Sequence, residues 1–165
     1  MQLFPHPASP PAAVSAVTVS ASIRRGMSDF VYRVDGPALL AEAGGPGRGA
    51  ELWKHSCFEL FVMPGEGPGY CEFNFAPSRQ WAAYRFSGYR AGMADLEIPA
   101  PAIERLADGV RVRIDLGGLP DGAWRVGISA VIEEAGGRLS YWALAHPEGR
   151  ADFHDPACFA LGVAG

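Results

Sequence analysis

The chain has 165 residues, 48% of them hydrophobic, and a formal net charge of −4. That length suits one domain with its own core, so residues 1–165 read as a single unit. The positive charge, thirteen Arg and the lone Lys54, forms no basic run, which argues against a nucleic-acid surface, and no apolar stretch approaches the ~20 residues that cross a bilayer.

From the N-terminus, residues 1–13 lack a basic leader and an unbroken apolar segment and carry Pro5, Pro7, Pro10 and Pro11, so they do not read as a secretory signal. Short runs with period-two alternation then follow one another between Gly/Pro turns, the mark of an antiparallel sandwich or barrel. The runs are 17–23, 30–34, 56–62, 70–76, 81–87, 109–116, 124–132, 138–145 and a last short one within 158–163. Residues 36–50, rich in Gly, Ala and Pro, read as a loop, and only 102–107 looks briefly helical. The expectation is an all-β fold, an antiparallel two-sheet β-sandwich of jelly-roll-like form with little helix.

The register of the central strands can be worked out. If 64–69 closes a hairpin with Met63 opposite Tyr70, and 77–80 closes one with Ala76 opposite Trp81, side chains divide between two faces. One face collects Phe58, Leu60, Val62, Cys71, Phe73, Phe75, Ala82, Tyr84 and Phe86, and should be core. The other collects Cys57, Glu59, Phe61, Tyr70, Glu72, Asn74, Trp81, Ala83, Arg85 and Ser87, with Glu59 facing Asn74 and Glu72 facing Arg85. That second face mixes carboxylates, an amide, a guanidinium and aromatics, unlike an ordinary solvated face.

Several residues have two readings each. Glu59, between Phe58 and Leu60, accepts hydrogen bonds either from a ligand or from structural donors such as Asn74. Arg85 is either a fork for adjacent hydroxyls or one half of a cross-strand ion pair with Glu72. Trp124 starts an alternating strand and belongs in the core. Trp53 precedes a strand and is a candidate exposed aromatic, and Trp142 fits either place. His6, His55, His146 and His154 lack zinc spacing, so no metal is expected. Cys57, Cys71 and Cys158, odd in number and without CxxC spacing, point to free thiols and a cytoplasmic protein. No phosphate loop or GxSxG elbow is present.

Residues 51–61 (ELWKHSCFELF), 70–78 (YCEFNFAPS) with 81–86 (WAAYRF), and 140–147 (SYWALAHP) with 151–154 (ADFH) resemble the DOMON-like proteins related to type 9 carbohydrate-binding modules, in a bacterial-looking branch. The resemblance spans nearly the whole chain and implies a two-sheet jelly-roll-like sandwich. In sugar-binding relatives two tryptophans clamp a terminal sugar, while a Glu, an Arg and amides bind its hydroxyls. Carried over, these are Trp53, Glu59, Asn74, Arg79 or Arg85, and Trp142 or Phe153. The expected role is a non-catalytic module for a saccharide or the sugar part of a metabolite. Two alternatives stand beside it. One is haem binding, known in some DOMON domains, through Met63 or Met93 with His146 or His154. The other is glycoside hydrolysis by Glu59 and Glu72, whose carboxyls would need to lie ~5–10 Å apart.

Overall fold

Alternating apolar residues between Gly/Pro turns fold into thirteen strands among the described residues, which are 1–41 and 44–164 of this computed structural model. In chain order they are β1 (Gln2–Pro5), β2 (Ala16–Ser22), β3 (Met27–Asp35), β4 (Gly47–Arg48), β5 (Cys57–Pro64), β6 (Tyr70–Phe75), β7 (Gln80–Phe86), β8 (Ala94–Asp95), β9 (Ala102–Leu106), β10 (Gly109–Asp115), β11 (Trp124–Glu134), β12 (Arg138–Ala143) and β13 (Leu161–Val163). Helix among these residues is confined to single 3-10 turns at Leu52–Lys54, Ala135–Gly137 and Pro156–Cys158. The fold is all-β, as expected. Part of the loop expected over 36–50, residues 42 and 43, lies outside the described residues.

Hydrogen bonding does not divide the strands into the two sheets expected. It joins them into one open sheet in the order β4-β7-β6-β5-β11-β12-β1-β2-β3-β10-β9, with β13 on β11 and β8 on β7. The sheet is continuous because β1 pairs with β12 on one side and with β2 on the other. It curls over itself, so that the Tyr32 hydroxyl of β3 donates to the Glu59 carbonyl of β5 at 3.0 Å. Between the facing halves lies the main core, where Phe30, Tyr32, Phe58, Phe73, Phe75, Ile128 and Trp142 are buried together.

Two sequence expectations fail here. Of residues 102–107, Ala102–Leu106 are strand β9 and 107 begins a turn, so none is helix. A five-residue segment is too short to nucleate a helix, and pairing along β10 satisfies its backbone instead. The second hairpin is also one residue out of the expected register. Its loop is the three residues Pro77, Ser78 and Arg79. The Ala76 amide bonds to the Gln80 carbonyl, the Arg79 amide bonds back to the Ala76 carbonyl, and Arg79 takes the left-handed conformation at φ 71°. This is a three-residue hairpin loop closed by a left-handed residue. Phe75 therefore opposes Trp81, Glu72 opposes Tyr84, and Arg85 opposes Cys71. A one-residue slip turns every side chain of a strand to the other face. Trp81 and Ala83 join the main core, while Ala82, Tyr84 and Phe86 join Glu59 and Glu72 on the opposite face. The first hairpin follows the expected register, with Glu59 opposite Asn74.

That opposite face is not solvated. Cys57, Phe61, Tyr70, Tyr84 and Phe86 form a second apolar layer upon it, roofed by Phe153, Cys158 and Phe159. Gly127 makes room for the roof, since a Cβ there would meet the Phe159 ring at 2.7 Å. All three cysteines are buried and free, with Cys57 in the second layer and Cys71 in the main core.

The proline-rich start of the chain is tied down by one buried carboxylate. Glu134 accepts backbone N–H bonds from Ala12, Ala13 and Val14 at 2.7, 2.6 and 2.8 Å. Burial works to raise its pKa, but these three donors outweigh burial and hold it below the usual carboxylate range. Glu134→Ala leaves those donors unpaired and should lower unfolding stability by roughly 2–4 kcal/mol in denaturant titrations. Phe73→Ala, a deletion in the main core, should cost about 3–5 kcal/mol in the same assay.

Candidate functional site

Glu59 and Asn74 are directly opposed in the ladder, and Glu72 lies two residues along β6. All three point to the second layer, so two carboxyls and an amide emerge side by side from adjacent strands. Above them a cavity of about 380 Å³ opens between the roof and the loops before β5 and after β7. Its floor is Glu59 and Glu72, its walls are largely aromatic, with Trp53, Phe86, Tyr141 and Phe153 among them, and Arg90, Asp152 and His154 supply the remaining polar groups.

Trp53 reaches this cavity because Leu52, the preceding residue of the same 3-10 turn, is buried and anchors the loop, leaving the indole 37% exposed. Tyr141 reaches it by parity: β12 turns Trp142 into the main core and Tyr141 to the other side. Arg90, in the left-handed region at φ 51°, is held by Asp152, which accepts from its Nη2 at 2.7 Å and its Nε at 3.3 Å. The Tyr89 hydroxyl also donates to Asp152. Burial acts to raise the Asp152 carboxyl, yet the bonds from Arg90 and Tyr89 hold it below its ordinary value.

The floor is a connected polar network in apolar surroundings. The Asn74 amide donates to Glu72 Oε1 at 2.7 Å, and the Cys57 thiol lies 3.7 Å from the Asn74 carbonyl oxygen. The Ser129 hydroxyl, opposite Glu59 on β11, donates to Glu59 Oε2 at 3.1 Å. His154 is boxed by the rings of Phe61, Tyr70 and Phe86. Its Nδ1 is 2.7 Å from the Tyr70 hydroxyl and its Nε2 is 3.7 Å from Glu72 Oε2. Burial, helped by the nearby Arg90, lowers the imidazole to about 4, so at neutral pH His154 is uncharged and forms no ion pair with Glu72.

The two carboxyls depart from ordinary values together. Burial first, and then the charge of Glu72, push Glu59 up to about 8, against the Ser129 bond. Burial raises Glu72 as well, opposed by Asn74 and Arg90. Glu59 Oε1 and Glu72 Oε2 accept no hydrogen bond among the described residues, which leaves one acceptor on each carboxyl for a ligand.

Of the residues expected from the sequence, the structure brings Trp53, Glu59 and Phe153 to one cavity and sets Asn74 beneath it. Arg85 and Trp142 are elsewhere. Arg85 is solvent-exposed on β7, displaced by the register shift. Trp142 is fully buried, its indole N–H bonded to Ser140 Oγ at 2.9 Å, so it has no face to offer a ligand. Arg79 occupies the β6–β7 turn, away from this cavity. Arg90, Asp152 and Tyr141 were not foreseen as site partners, and His154 was named only as a candidate haem ligand. The segment 151–154 carried a signal, as a polar pair around Phe153, whereas Arg90 in an irregular turn carried none. For haem, Met93 and His154 both line the cavity, but the environment does not fit. Both ring nitrogens of His154 face polar partners, and the rings of Phe61, Tyr70 and Phe86 enclose it.

No family model matches the sequence, and no curated protein matches it. Among solved structures the chain is similar to a "putative carbohydrate-binding protein" from Bacteroides uniformis, at a TM-score of 0.67 and 14% identity over 96% of this chain and 84% of that one. The similarity establishes a shared fold.

The raised Glu59 carboxyl has a measurable signature. Its stabilising contribution is full below the ordinary glutamate pKa and is lost as pH rises toward about 8, because the unfolded chain ionises first. Glu59→Gln removes that loss. The variant should therefore melt higher relative to the parent at pH 8 than at pH 5, by calorimetry or circular dichroism.

Proposed function

We propose that the chain is a saccharide-binding module acting through the cavity over Glu59 and Glu72. The observation that carries this reading is a cavity with aromatic walls and a floor of two carboxyls, each keeping a free acceptor. A pyranose has an apolar face of C–H groups that packs on an indole ring, and Trp53 offers such a ring at the rim. Glu59 and Glu72 accept from ring hydroxyls, and Arg90, fixed by Asp152, donates. The bonds from Arg90 are charge-assisted, and such bonds are stronger than neutral ones. Asn74 acts indirectly, by orienting Glu72. Arg90 takes the part expected of Arg85, and Tyr141 with Phe153 the part expected of Trp142. The likeness in fold to a protein described as carbohydrate-binding adds weight. On this reading the protein is a cytoplasmic, DOMON-like relative of the type 9 modules, with the facing halves of its curled sheet standing for their two-layer sandwich.

Binding is favoured over hydrolysis by the arrangement of the carboxyls. A glycosidase flanks the scissile bond with its two carboxyls. Glu59 and Glu72 instead rise from neighbouring strands of one floor, so a sugar lies over both rather than between them.

The ligand loses water and freedom on binding, so affinities should be on the order of micromolar to millimolar. Calorimetry against a panel of mono- and oligosaccharides and nucleotide sugars tests the reading, and absence of heat from the whole panel overturns it. Trp53→Ala should weaken binding at least about tenfold, the loss of one stacking face. It should change stability by no more than about 0.5 kcal/mol, as at other surface positions.

A further inference from the structure

We propose that the saccharide is an amino sugar, a hexose bearing a free ammonium group, held with its nitrogen between Glu59 and Glu72. The inference rests on the saccharide reading and deepens it. It starts from the charges of the cavity. Arg90 is the cationic side chain on its lining, and Arg90 is already engaged by Asp152 through two hydrogen bonds. His154, neutral within its box of aromatic rings, adds no charge. That leaves Glu59 and Glu72, 3% and 5% exposed, emerging side by side, neither in an ion pair with a Lys or Arg among the described residues.

Two buried like-charged carboxyls are unfavourable unless something compensates them. Within the protein they receive one neutral donor each, Ser129 Oγ on Glu59 and Asn74 Nδ2 on Glu72. Without a ligand the proton held by Glu59 relieves this repulsion, and a neutral hexose would add hydroxyl donors but give that proton no reason to leave. An ammonium group brings three donors and a full positive charge, which matches the two free acceptors, Glu59 Oε1 and Glu72 Oε2. The walls suit the same group. Faces of Trp and Tyr rings attract cations through their quadrupole, and Trp53 and Tyr141 line the cavity above the carboxyls. An aromatic surround over a carboxylate floor discriminates a cationic sugar from its neutral counterpart, because an amide or hydroxyl at the same place cannot neutralise either carboxylate.

The groups that share this field are Cys57 on the strand of Glu59, Tyr70 and Glu72 on β6, Tyr84 on β7, Tyr32 from the main core, and His154, Arg90 and Asp152 from the loops. Before binding, burial favours the protonated form of Glu59. An ammonium beside it favours the ionised form, so binding at pH 7 releases a proton to the buffer.

The experiment is titration calorimetry of the intact chain at pH 7 with glucosamine, glucose, N-acetylglucosamine and ethanolamine, repeated in two buffers of different ionisation enthalpy. The expected result is that glucosamine binds at least about tenfold tighter than glucose or N-acetylglucosamine, the size of one partly desolvated charge contact. Up to about one proton is released on binding glucosamine and none on binding glucose. Glu59→Gln should narrow the glucosamine-to-glucose ratio and abolish the proton release. Equal affinity for glucosamine and the two neutral sugars overturns the amine proposal and leaves the saccharide reading standing. Ethanolamine binding as tightly as glucosamine, with no heat from glucose, shows an ammonium site without a sugar site and overturns the saccharide reading. No heat from any of the four overturns the amino-sugar proposal, and the broader panel above then decides the saccharide reading on its own.

Discussion

Covering both faces of β5 and β6 is the constraint from which the site follows. Their sequences, CFELFVMP and YCEFNF, are buried at nearly every position. One face meets the far half of the curled sheet and the other meets the roof of Phe153 and Phe159. Polar residues at positions 59, 72 and 74 are thereby buried, with only the cavity open above Glu59 and Glu72. They must bond to each other, to Ser129, or to a ligand, and that requirement produces both the network and the displaced carboxyl pKa values.

The roof depends on small details of the strands below it. Gly127 admits the Phe159 ring against β11, and Phe159 in turn stacks on Phe61 at 5.8 Å between centroids. Asp152 and Arg90 join the roof to the loop after β7. The cavity walls therefore come from segments far apart in sequence, held by the Arg90–Asp152 ion pair, side-chain hydrogen bonds such as those of Tyr89 and Tyr70, and ring contacts, while the floor is held by the ladder itself. Specificity placed in the walls can vary without disturbing the carboxyl pair.

Much of this was legible in the sequence, and the failures have physical causes. Alternation identified the long strands, and the first hairpin gave Glu59 opposite Asn74 because its turn residues are obvious. The second hairpin failed at Arg79, where a residue other than Gly adopts a left-handed conformation and shortens the loop by one residue. That single residue exchanged Arg85 for Phe86 at the cavity. The same parity logic separates Tyr141 from Trp142, two adjacent aromatics that composition cannot tell apart. Arg90 and Asp152 sit in irregular segments, where no periodicity gives a direction to a side chain. Strand β1 was missed because four prolines within a few residues hide a four-residue strand.

That short strand has a consequence for handling the molecule. Among the described residues β1 is the hydrogen-bonded link between the two halves of the sheet, and the chain's first amine donates to the Val19 carbonyl at 2.7 Å. Displacing it would uncover the edges of β2 and β12 at once, two rows of unpaired amides and carbonyls able to recruit another chain. Self-association by exchange of strand β1 is therefore the failure to watch for when its pairing with β2 and β12 is weakened.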